Sequence, residues 1–206
     1  MADRSGLIVD YGGVLTTDVF ASFRAFCVAE GLEPETVRER FAGDPDARRL
    51  LEALELGRLD EAQFEPRFAV LLEVEPERLI DRMFGAMEPD HAMLDGVRAA
   101  RRAGVRTAML SNSWGDDRYD RAQFAELFDA WVISCEVGLR KPDAAIYALA
   151  AQRLGLPPQA CVFVDDLPGN LKPARALGMA TIVHRGDAAA TLAAVGEQLG
   201  VQLSPR

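Results

Sequence analysis

The chain has 206 residues, 49% of them apolar and 27% charged, the balance of a globular protein long enough to bury a sizeable core. Its formal charge of −9, from 32 acidic and 23 basic residues, argues against a nucleic-acid reader. The longest wholly apolar run, residues 144–151, falls far short of the roughly 20 residues that span a bilayer. Three scattered cysteines (Cys27, Cys135, Cys161) and two histidines (His91, His184) suggest neither a disulfide framework nor a multi-histidine metal site. Any chemistry must then rest on carboxylates, hydroxyls and lysine.

The first apolar run, Gly6–Asp10, reads as a buried strand that ends in a carboxylate and a Gly pair. No secretory leader precedes it, so a cytoplasmic protein is expected. From Asp18 to Asp90 the spacing becomes helical. Val19, Phe20, Phe23, Phe26 and Cys27 share one face, with Gly31 as a C-cap. Leu50, Leu51 and Leu54 form a second stripe ending at Gly57. Asp60 caps a third helix, which Pro66 is expected to bend or restart, and Leu79, Ile80, Met83 and Phe84 make a last stripe. Between Glu30 and Asp90 there are 17 acidic and 8 basic residues, so the whole negative excess lies in this one internal segment. That shift in composition suggests an inserted subdomain with a solvated helical surface.

After Asp90, helices and strands alternate. Helices are expected over 92–103, 117–128, 142–154, 171–177 and 188–199, and strands over 105–110, 130–134, 160–164 and 180–184. Such alternation implies right-handed crossovers and a parallel sheet covered by helices on both faces. Ligands of these sheets bind beyond the carboxyl ends of the strands. There the sequence places Asp10, Ser111-Asn112 and Asp165-Asp166, with Lys141-Pro142 opening the helix between the third and fourth strands. Lys141 stands out because the chain has only two lysines, at 141 and 172, against 21 arginines. A compact ammonium there looks selected for its shape, whereas Lys172 is expected on an exposed helix face.

The segments D-Y-G-G-V-L (10–15), L-S-N-S (110–113), R-K-P-D (140–143) and V-D-D-L-P-G-N (164–170) occur in this order at predicted strand ends. Together they resemble the four motifs of the haloacid dehalogenase-like hydrolase superfamily, across nearly the whole chain. The resemblance implies an α/β fold: a Rossmann-like parallel five-stranded core of residues 1–16 plus 91–206, and an inserted α-helical cap over 17–90.

By that resemblance Asp10 is the nucleophile that attacks phosphorus and becomes an aspartyl phosphate. Mg²⁺ would be held by Asp10, the backbone carbonyl of Gly12, Asp166, and Asp165 directly or through water, with Asn170 holding an outer water. Ser111 and the backbone N–H of Asn112 would bind the phosphoryl oxygens, and Lys141 would pair with both Asp10 and the phosphoryl group. The expected substrate is a small phosphorylated metabolite, with no nucleic-acid or membrane partner. The sequence leaves the oligomeric state open.

One position departs from the pattern. Phosphatases of the superfamily carry Asp-x-Asp, and the second Asp protonates the leaving group; here Gly12 stands in its place. General acid–base help is worth roughly 10²–10⁴-fold, so slow turnover or a substitute donor such as Asp18 is expected. Two other readings of the same residues are a phosphate-binding or scaffold protein without turnover and a 2-haloacid dehalogenase. The acid pair Asp165-Asp166 makes sense around Mg²⁺ and little sense around a haloacid carboxylate. Trp114 and Tyr11, beside the motifs, are candidates for a pocket wall as well as for packing. His91 reads as a solvated hinge residue, and Asp95-Gly96-Val97 as helix entry.

Overall fold

The structure, a computed structural model, describes residues 4–115 and 119–203. Five parallel strands form one sheet: β1 (Gly6–Val9), β2 (Arg106–Ser111), β3 (Ala130–Ile133), β4 (Cys161–Asp165) and β5 (Ala180–Val183), in the order β3-β2-β1-β4-β5. The strands read as near-continuous apolar runs because both faces are covered. On one face Leu7, Val9, Met109, Val162 and Val164 pack under the helices at His91–Arg102, Arg121–Leu127 and Ala188–Leu199. On the other, Ile8, Ala108, Leu110 and Phe163 pack under Ala144–Leu154 and Pro168–Ala176. The chain moves outward from β1 to β2 and β3, then recrosses to β4 and β5. The order therefore reverses beside β1, and a crevice opens at the carboxyl ends of β1, β2 and β4.

Between β1 and the sixth helix run five helices: α1 (Val19–Ala29), α2 (Thr36–Gly43), α3 (Pro45–Glu55), α4 (Glu61–Leu72) and α5 (Leu79–Met83). They bury their own cluster, which includes Phe23, Phe26, Leu54, Phe64, Phe68, Leu79, Ile80 and Met83. The chain enters and leaves this helical insert side by side. Thr16 bridges Pro89, Thr17 N–H donates to the Glu88 carbonyl at 2.8 Å, and Asp90 N–H donates to the Leu15 carbonyl at 2.9 Å.

Several elements differ from the periodicity. α2 is not anticipated, because Val37 is its one fully buried residue and leaves no stripe to read. Pro66 does not restart its helix: α4 runs unbroken over Glu61–Leu72, capped by Asp60 with Gln63. Proline removes one backbone hydrogen bond there, while Phe64, Phe68, Ala69 and Leu72 stay buried and hold the helix in one piece. The helix expected from residue 117 begins at Arg121, capped by Asp120, and residues 116–118 lie outside the described ones. Ser134 leaves the third strand and opens a short helical turn, Ser134–Val137. The helix expected from 171 starts earlier, at Pro168, a residue preorganised for a first turn. Among the described residues, no helix is long and apolar enough to cross a membrane.

Candidate active site

β1 delivers Asp10 to the crevice, where its N–H donates to the Val164 carbonyl at 2.9 Å and ties it to β4. Beyond it the chain turns at once. Gly13 has φ +72°, and a Cβ there would lie 2.5 Å from Asp166 Oδ2, so this close approach needs glycine. At Gly12 a Cβ would lie 3.1 Å from the Val19 methyl at the start of α1. β4 delivers Asp165 and Asp166, β2 delivers Ser111 and Asn112, and the loop after Val137 delivers Lys141.

Lys141 is the centre of the arrangement. It is 2% exposed, and its Nζ lies 2.7 Å from Asp10 Oδ1 and 2.8 Å from Asp165 Oδ2. Burial alone would lower the pKa of this ammonium, but the two carboxylates outweigh it and raise it, so Lys141 stays charged. Asp10 is driven toward its neutral form. Burial is the largest cause and raises its pKa well above the usual carboxylate range; Lys141 opposes this, while Asp165 and Asp166 add to it. Asp10 Oδ1 also accepts the Tyr11 N–H at 2.7 Å, which leaves Oδ2 without a partner among the described residues.

Asp165 is fully buried and fully subscribed. Its Oδ1 accepts the Leu167 N–H at 2.8 Å, its Oδ2 accepts Lys141, and Asn170 Nδ2 donates to both oxygens at 3.0 and 3.1 Å. Asn170 thereby braces this carboxylate. Asp166 is half-buried, and its carboxyl is pushed up to about 6 by burial and by neighbouring Asp165, with Lys141 opposing. One ammonium thus faces three carboxylates. One oxygen from each of Asp10, Asp165 and Asp166 lies within 4.8 Å of the others, an all-oxygen donor set with charge to spare for a hard cation.

Asp10, Gly12, Ser111, Asn112, Lys141, Asp166 and Asn170 line one cavity of about 610 Å³, with Asp165 buried behind them. The Ser111 hydroxyl is 3.0 Å from the Tyr119 hydroxyl. Asn112 does more than present its backbone: its Oδ1 accepts Lys141 N–H at 2.8 Å and its Nδ2 donates to the Lys141 carbonyl at 3.1 Å. Asp18 is exposed, caps α1 and pairs with Arg24, and it does not line the cavity. Asp95 pairs with Arg98, while His91 and Lys172 are exposed. Tyr11 and Trp114 do line the cavity.

Three features of the site lie beyond the sequence reading. Tyr119 carries no motif. The aromatic walls Phe20, Phe23, Phe41 and Phe84 lie on helix stripes that serve packing and cavity together. Glu55 is a 5% exposed carboxylate bonded to Arg140 at 2.5 Å, and its position on the 51–54 stripe is a legible anomaly. Burial pushes its carboxyl up, while Arg140 and the Asn112 side chain hold it down.

The family model of the haloacid dehalogenase-like hydrolases matches residues 5–178. The chain is 36% identical over 134 residues to bifunctional epoxide hydrolase 2 of Sus scrofa, a match that covers 62% of this chain and 24% of that protein. It is 29% identical over 119 residues to a sesquiterpene phosphatase of Aspergillus oryzae, covering 56% and 60% of the two chains. The match thus spans about a quarter of the epoxide hydrolase. Among solved structures, a HAD-like family hydrolase from Porphyromonas gingivalis superposes with a TM-score of 0.70 at 24% identity, over 98% of this chain and 100% of that one. A HAD family enzyme from Bacteroides thetaiotaomicron in its magnesium complex gives 0.66 at 20% identity, over 90% and 96%. These two likenesses speak to the fold alone, but with 5–178 matched as a unit the chain belongs to the haloacid dehalogenase-like hydrolase family.

Proposed function

We propose that this hydrolase is a Mg²⁺-dependent phosphomonoesterase that works through an aspartyl phosphate on Asp10 and accepts phosphates of small apolar alcohols. In this reading residues 17–90 are a cap over a core of residues 1–16 and 91–206. The observation that carries it is the floor of the cavity, where one buried ammonium sits among three carboxylates at the ends of β1 and β4. Such a surplus of negative charge is costly to bury without a cation. Asp10, Asp166 and the Gly12 carbonyl would hold the ion, with Asp165 behind them. The donors are all oxygen, as Mg²⁺ prefers, and Gly13 leaves Asp166 room to approach. When bound, the ion neutralises phosphoryl charge and polarises the phosphorus centre.

The chain's own groups then have defined tasks. Lys141 and the Tyr11 N–H hold Asp10 by Oδ1, so the second oxygen is oriented for attack. That oxygen forms the bond to phosphorus as the ester oxygen departs. Lys141, Ser111 and the Asn112 N–H would meet the charge on the equatorial oxygens. Water then attacks the aspartyl phosphate, releasing inorganic phosphate and regenerating Asp10. Gly12 supplies no proton to the departing oxygen, so alcohols of low basicity should leave fastest.

The choice of alcohol rests on the walls. Phe20, Phe23, Phe41, Phe84 and Trp114 line the cavity above the floor, and among the described residues Lys141 is the one cation of the lining. The Aspergillus oryzae relative, a sesquiterpene phosphatase, is in keeping with an apolar alcohol.

The test is Mg²⁺-dependent phosphate release from an aryl phosphate, an isoprenoid alcohol monophosphate, a sugar phosphate and a bisphosphate. Wild type is compared with Asp10→Asn, and 2-chloropropionate is included. Release from the first two, abolished by EDTA and by Asp10→Asn, is expected. Chloride release without Mg²⁺ would make the protein a dehalogenase. Gly12 favours one second reading, a phosphate binder without turnover. That reading gains if wild type is inert and Gly12→Asp releases phosphate.

A further inference from the structure

The C-terminal end of α3 is where the insert meets the loops that carry the site. Gly57, at φ +68°, passes so close to the core that a Cβ would lie 2.5 Å from the Cys135 carbonyl oxygen. Two residues earlier Glu55 reaches into the core, its side chain 7% exposed, and Oε2 accepts Arg140 Nε at 2.5 Å. The residue after Arg140 is Lys141, which Asn112 grips by both its N–H and its carbonyl.

Through Arg140, Glu55 holds the residue immediately before Lys141, while Asn112 holds Lys141 itself from the neighbouring loop. One carboxylate from the insert thus secures the pair of core loops, 111–112 and 140–141, that flank Asp10.

We infer that Glu55 is a positioning residue: docking of α3 fixes Arg140 and with it the Lys141 backbone that Asn112 holds, so the core site is complete only when the insert is seated on it. The kinetic arm of the test rests on the function proposed above; the structural arm does not. Acetyl phosphate is too small to reach the insert's walls, so its turnover reads the floor alone. Glu55→Ala is expected to lower kcat for acetyl phosphate by about 10²-fold with KM within about twofold, the scale of an ångström's misplacement of a catalytic group. Glu55→Gln, which keeps an acceptor for Arg140, should recover part of that loss.

Hydrogen exchange by mass spectrometry supplies the second readout. Exchange at the Lys141 amide should quicken at least about tenfold in Glu55→Ala, while the β4 amides keep their wild-type protection. Gly57→Ala moves the docking point without removing a polar group and should produce the same two changes, which covers the case of Glu55→Ala failing to fold. Unchanged Lys141 exchange overturns the inference. So does an effect confined to KM for bulky substrates, which would make Glu55 a substrate contact. If wild type hydrolyses no phosphate, the proposed function fails and the exchange result alone decides the role of Glu55.

Discussion

The floor and the walls of the cavity are made of opposite materials. The floor comes from strand ends and consists of buried charge whose partners are nearly all accounted for: Lys141 on Asp10 and Asp165, Asn170 on Asp165, Asn112 on Lys141. The walls come largely from the insert and are aromatic rings in edge and tilted contacts. Trp114 sits 5.2–6.0 Å from Phe23, Phe41, Phe64 and Phe84, centroid to centroid. Charges at fixed distances suit a reaction that is the same for every substrate. Rings that pack through non-directional contacts suit recognition of a shape. The difference predicts that variants of the floor change turnover for all substrates, whereas variants of the walls change the choice among them.

The largest effect belongs to the floor. Asp10→Asn should lower phosphate release by about 10⁴-fold or more for every substrate in the panel. Lys141→Arg should lower it by about 10²–10³-fold, since a planar guanidinium does not fit the slot between two carboxylates. A substrate spared by either change would break the comparison. Trp114→Leu is the counterpart on the walls. It should raise KM for an isoprenoid alcohol monophosphate by about 10–200-fold and leave acetyl phosphate kinetics within about twofold. Equal losses on both substrates would mean that Trp114 supports the floor instead.

The smallest effect is on stability. With its carboxyl pushed up to about 6, Asp166 binds a proton more tightly in the folded than in the unfolded chain. Its contribution to stability is therefore fully present below about pH 4 and is lost as pH rises through about 6. Metal-free Asp166→Asn should lack this decline and melt above wild type at pH 7. Mg²⁺ at a hundredfold excess over its Kd adds about 2.7 kcal/mol. Wild type at pH 7 should then gain roughly 5–11 °C in Tm, with little gain in Asp166→Asn. Calorimetry with and without EDTA across pH 4–7 checks both.

The same contrast explains what the sequence disclosed. A strand that ends in a carboxylate, or a lysine in a chain that otherwise uses arginine, is an exception to a pattern and so is visible in one dimension. Asp10, Lys141 and Asp165 are legible as candidates for that reason and Ser111 as a strand-end hydroxyl, and the apolar runs place the five strands within a residue or two. Phe23 and Phe84 were not legible as wall residues because a ring that lines a cavity has the same spacing as one that fills a core. Tyr119 lies outside the motifs and meets Ser111 from eight positions away, a contact that leaves no period. The unbroken helix through Pro66 depends on partners contributed by other helices, which local propensity does not see. Glu55 was readable in principle, as a charge on the buried side of a leucine stripe.

Gly12 and Val19 are coupled through their spacing. A side chain at 12 would begin 3.1 Å from a Val19 methyl, a tight contact with the first turn of the insert's first helix. An acid at 12 therefore asks that methyl to give by a few tenths of an ångström. The position that would protonate a leaving group is thus mechanically linked to the seating of the insert, and a smaller residue at 19 would loosen both together.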